Sequence, residues 1–69
     1  MRLSARNKLS GTVTSIDEGA AIANVGVDVG GTRLVASITV EAVRELGLGE
    51  GSEVVAIVKA SDVILAVAE

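Results

Sequence analysis

Residues 20–39 read AAIANVGVDVGGTRLVASIT, and the fold is decided here. Ala21, Ala23, Val25, Val27 and Val29 alternate with Ile22, Asn24, Gly26 and Asp28, the period of two that puts one set of side chains on each face of a strand. Gly30-Gly31 supplies the two positive backbone angles of a tight hairpin turn, so Thr32–Thr39 is expected to return antiparallel. Leu34, Ala36 and Ile38 then continue the inward face, with Val35, Ser37 and Thr39 opposite.

Upstream, Leu9–Ile16 reads as a first strand, with Thr12 and Thr14 on one side and Leu9 and Val13 on the other; Asp17-Glu18-Gly19 reads as the turn that ends it. Downstream, Thr39 is placed to cap a short helix over Val40–Leu46. Its hydroxyl can accept from a free amide, and Glu41 lies in the first turn, where the helix dipole favours negative charge. Gly47 is the expected C-cap. Glu53–Lys59 and Asp62–Ala68 read as a fourth and a fifth strand. Three strands, a helix and two strands is the order of a five-stranded, OB-like Greek-key barrel, all-β apart from one short helix. The fifth strand is apolar on both faces, which predicts a subunit contact.

The chain has 69 residues, 49% of them hydrophobic and none aromatic, with no cysteine or histidine. One domain over residues 1–69 is expected, and a domain of this size hides only about 60% of the surface of its unfolded chain. Disulfides and zinc, the usual supports of small folds, are excluded by composition, which leaves oligomerisation. A net charge of −3 and the lack of aromatic stacking platforms argue against nucleic acid. No run is long and apolar enough for a membrane span, and no secretory leader is legible, so a cytoplasmic location is expected.

The glycine-rich run 47–52 lacks the Lys-Ser/Thr ending of a phosphate loop and follows a helix instead of preceding one. Catalysis has little to work with: without His, Cys or Tyr a general base would be a carboxylate or a lysine, and the acidic residues fall mostly at turns or on the helix. No enzyme is expected.

Binding chemistry is better supported. Ser4 and Arg6 share one side of an extended segment, as do Lys59 and Ser61, so each segment offers a hydroxyl beside a fixed cation. Brought together, they would form a site of donors only, suited to a tetrahedral dianion such as molybdate, tungstate or sulfate. Hydrogen phosphate, whose proton needs an acceptor, would be disfavoured. The competing reading is that Arg6 and Lys59 pair with surface carboxylates, each pair contributing under about 1 kcal/mol, and that residues 1–7 form a solvated arm. Residue spacing leaves both readings open.

Ser4-Ala5-Arg6-Asn7 followed by Leu9, Gly11 and Val13, together with Lys59-Ala60-Ser61-Asp62-Val63 and the Leu46-Gly47 helix ending, resembles the molybdenum-pterin-binding family. This family comprises the molbindins and the related domains of molybdate-responsive regulators and molybdate transporter ATPases. The resemblance covers nearly the whole chain, which implies a free-standing molbindin. It further implies an OB-like barrel with strands exchanged between neighbouring chains, and dimers assembled as a trimer into a hexamer. Molybdate or tungstate would be stored or buffered between subunits. By the same resemblance, Ser4, Ala5 and Arg6 would contribute hydroxyl, backbone amide and guanidinium. Lys59, Ala60 and Ser61 would contribute ammonium, amide and hydroxyl from a neighbouring chain, and Thr39 with the helix start would come from an opposing subunit. With no aromatic to stack on a pterin, the expected ligand is the bare oxyanion, with no organic cofactor. The alternative is a scaffolding module with little anion binding.

Overall fold

A computed structural model of the chain describes residues 2–68. Four strands, β1 (Asn7–Glu18), β2 (Ile22–Val29), β3 (Thr32–Thr39) and β4 (Glu53–Val58), form one antiparallel sheet in the order β3-β2-β1-β4. The β2–β3 hairpin turns on Gly30 and Gly31, at φ 56° and 90°, angles that a residue with a Cβ adopts only with strain. Its ladder runs unbroken from Val29↔Thr32 to Ile22↔Thr39. The alternation expected of β2 is present, with Ala23, Val25 and Val27 buried; Ala21, however, precedes the strand and is exposed.

β1 is longer than the sequence suggests, because Asp17 and Glu18 do not turn. They pair with Asn24 and Ala23, and the chain reverses at residues 19–21 instead. Both acidic side chains stand in solvent at the end of the sheet, where their polarity does not oppose pairing. An irregularity between Val13 and Ser15 leaves Thr14 as the extra residue of a β-bulge. Strict alternation would put Val13 and Ile16 on opposite faces; the bulge shifts the parity, so Val13 is in the core and Ile16 packs against it. The bulge also turns the Val13 backbone towards the loop before β4. Val13 N–H donates to the Ser52 carbonyl at 2.9 Å, and Gly51 N–H donates to the Val13 carbonyl at 2.8 Å.

Helix α1 (Val40–Leu46) buries Val40 and Val43 onto Val13, Ala23, Val25 and Val27. Ala42 N–H donates to Thr39 Oγ1 at 3.0 Å, and Gly47 ends the helix in the left-handed conformation at φ 63°. Thr39→Ala should therefore cost about 1 kcal/mol, read as a lower urea midpoint at unchanged slope. An unchanged midpoint would mean that tertiary packing alone holds the helix start.

The fifth expected strand is not in this sheet. A 3₁₀ turn, η1 (Ala60–Asp62), diverts the chain after β4, and residues 63–68 form no strand pair among the described residues. Ile64, Leu65 and Val67 are 91%, 88% and 88% exposed. The sheet of this chain is thus four-stranded, with β3 and β4 at its edges.

Candidate oxyanion site

β1 changes partners along its length, with Asn7–Thr12 paired to β4 and Thr12–Glu18 paired to β2. The β1–β4 ladder ends at Asn7↔Val58. Continued in the same register, the next residues to face each other are Arg6 and Lys59, then Ala5 and Ala60, then Ser4 and Ser61. The two donor segments singled out in the sequence thus leave the sheet side by side, at one end of a single chain. The ladder stops there because η1 takes over: Asp62 N–H donates to the Lys59 carbonyl at 2.9 Å and Val63 N–H to the Ala60 carbonyl at 3.2 Å.

Ser4, Arg6, Lys59, Ala60 and Ser61 are exposed and Ala5 is half-buried. Among the described residues, no side-chain hydrogen bond engages Ser4, Arg6, Lys59 or Ser61, so their donors are free for a ligand. Lys8, two residues after Arg6 and inside β1, faces Ile57 across the ladder. Three of the six cationic residues, Arg6, Lys8 and Lys59, therefore lie at one end of a chain whose net charge is −3, with Asp62 the nearby carboxylate in η1. Lys8 and Asn7 are not among the anion-binding residues expected from the sequence, although Asn7 stands in the Ser4-Ala5-Arg6-Asn7 motif. The two-residue spacing from Arg6 carries the signal for Lys8. The motif marks Asn7 without its contact, which depends on Val58, whose carbonyl accepts from Asn7 Nδ2 at 3.1 Å.

Thr39 is placed elsewhere. It pairs with Ile22 where β2 begins, across the sheet from β4 and towards the Glu18 end of β1. With Glu41, Arg44 and Glu45 it lines an open concavity of about 490 Å³ beside α1. Its oxygen is occupied as an acceptor by Ala42 N–H, and its own proton can still be donated. One chain does not bring Thr39 to the other donors. A second concavity, of about 530 Å³, is lined in part by Ser10, Thr12, Asp28 and Glu53. Its two carboxylates give it the wrong charge for an oxyanion, so the exposed donor end is the better candidate despite its shallower surface. The segments that leave that end carry hydroxyls, cations and backbone amides, with the Asp62 carboxylate next to Ser61.

Residues 3–65 match the model of the TOBE domain. A probable molybdenum-pterin-binding protein of Haemophilus influenzae is 44% identical, over 97% of this chain and 99% of its own length. A molybdate-binding protein from Sporomusa ovata superposes with a TM-score of 0.92 at 42% identity, covering 96% of this chain and 98% of that one. The cytoplasmic molybdate-binding protein ModG, solved with molybdate bound, superposes with a TM-score of 0.89 at 51% identity; the match covers 93% of this chain and 46% of ModG.

Proposed function

Because the chain belongs to the molybdenum-pterin-binding family of TOBE domains, we propose that it binds molybdate or tungstate in the cytoplasm and stores or buffers the ion. What supports this reading is the end of the β1–β4 ladder at Asn7↔Val58, from which Ser4-Ala5-Arg6 on the β1 side and Lys59-Ala60-Ser61 on the β4 side continue. A dianion with four acceptor oxygens can be met there by a guanidinium fork, an ammonium, two hydroxyls and backbone amides, and charge-assisted bonds of this kind are about twice as strong as neutral ones.

In this reading the site is completed between subunits. Residues 63–68 supply an apolar segment with no strand pair among the described residues, and the sheet edges β3 and β4 supply unpaired backbone groups. Exchange of this segment between chains provides the fifth strand, covers the exposed side chains and satisfies both edges. Dimers formed in this way assemble as a trimer into a hexamer, in which Thr39 of an opposing subunit adds its hydroxyl proton to the donors.

Calorimetric titration with molybdate, repeated with tungstate and in excess sulfate, tests the proposal when native mass spectrometry is run on the same sample. Saturable, sulfate-resistant binding to a hexamer is the expected result. The exposed apolar segment also suits a scaffolding module, and a stable oligomer that evolves no heat with either ion would favour that reading instead.

A further inference from the structure

The donor segments are exposed, bear like charges and lie just beyond the last rung of the sheet. Arg6 and Lys59 directly follow the last rung, Asn7↔Val58, so two cations project from adjoining segments with no ladder pair of their own. Their repulsion favours splaying of the two segments. A site of this kind holds its geometry only if something restrains the peptides from which the cations project.

One side chain is placed to do so. Asn7 directly follows Arg6 and Val58 directly precedes Lys59, and Asn7 Nδ2 donates to the Val58 carbonyl at 3.1 Å from a half-buried position. The Val58 carbonyl and the Lys59 N–H belong to one planar peptide, so a bond to that oxygen also sets the direction of the Lys59 amide. The peptide on the other side of Lys59 is held as well, its carbonyl accepting from Asp62 N–H at 2.9 Å. Lys59 is thereby fixed from both sides. The bond on the β1 side comes from the residue that carries the Arg6 peptide.

We infer that Asn7 is a positioning residue for the anion site. It touches no ligand, and its amide clamps the Arg6 segment to the Lys59 segment so that both present their donors before the ion arrives. The inference rests on the oxyanion-binding reading for its consequence in affinity, and on the Asn7–Val58 bond alone for its consequence in the empty protein. Preorganised donors bind more tightly because the ordering cost has been met in folding. Releasing the clamp should therefore weaken binding without abolishing it.

The test compares the parent chain with Asn7→Ala, with Asn7→Leu, which keeps the bulk but lacks the donor, and with Arg6→Ala. Molybdate affinity is read by calorimetry, global stability by thermal unfolding, and amide exchange at Asp62 and Val63 in the ion-free protein by NMR. Both Asn7 variants should lose about tenfold in molybdate affinity, the equivalent of one ordinary hydrogen bond. Their Asp62 and Val63 amides should exchange several times faster at unchanged melting temperature and return to slow exchange once molybdate saturates the site. Arg6→Ala should lose affinity with exchange at Asp62 and Val63 left as in the parent, which separates contact from positioning. Parent-like affinity in both Asn7 variants, or unchanged exchange at Asp62 and Val63, would overturn the inference. If the parent binds no molybdate while the Asn7 variants still exchange faster, the oxyanion reading falls and the clamp stands.

Discussion

Arg6→Ala is expected to reduce molybdate affinity by about a hundredfold or more, because it removes both a unit charge and a planar pair of donors from the anion. Fold and assembly should be unchanged. Arg6 is exposed, lies before β1 begins, and takes part in no side-chain hydrogen bond among the described residues. Arg6→Lys sharpens the prediction, since it keeps the charge and loses the fork; about a tenfold loss is expected of it if bidentate geometry matters beyond charge. Calorimetry on all three proteins, with native mass spectrometry as the control for assembly, decides the matter. Undiminished affinity in Arg6→Ala would show that the ion does not bind at this end of the sheet. Loss of the parent's assembly state in Arg6→Ala would show that Arg6 serves an interface.

The second large effect concerns Gly11, for reasons unconnected with ligand. Gly11 faces inwards where β1 passes from β4 to β2, and a Cβ there would lie 2.6 Å from the Asp28 carbonyl oxygen, 2.6 Å from Val27 Cγ1 and 3.0 Å from Val29 Cγ2. The first of these is backbone and cannot rotate away. Gly11→Val should therefore destabilise the fold by about 3 kcal/mol or more, a large share of the margin of so small a domain. Gly30→Ala is the informative contrast: nothing stands within 4 Å of its Cβ, yet its φ is 56°, so it should cost only about 1 kcal/mol, from the backbone angle alone. Urea unfolding of the two variants measures both costs. A loss below about 1 kcal/mol for Gly11→Val would mean that β1 and β2 separate at this point without penalty.

Much of this architecture was legible in the residues. The hairpin could be read because two adjacent glycines and a clean alternation are local signals, and α1 could be read because its caps, Thr39 and Gly47, are local too. The extent of β1 could not. Asp17-Glu18-Gly19 has the composition of a turn, and only the pairing of Asp17 with Asn24 and of Glu18 with Ala23 keeps the first two extended. The bulge at Thr14 was equally hidden, being a compromise between the β1–β2 register and the loop bonds to Val13. Residues 63–68 have strand composition but no strand pair among the described residues, and periodicity does not say to which molecule a strand's neighbour belongs. At the candidate site the donor types were readable from residue chemistry and family resemblance. The Asn7↔Val58 rung from which both donor segments continue was not, because it is a long-range register.

That register has a consequence for how the site exists at all. The Asn7–Val58 bond joins residues 51 apart in the chain, so the donor segments are the two ends of a loop that contains the hairpin, the helix and most of the core. In an unfolded chain the same groups would meet only at the dilute effective concentration of a flexible loop of that length. Folding replaces that dilution with fixed adjacency, and the domain acts as an intramolecular concentrator for two short segments that, apart, are a pair of charged tails.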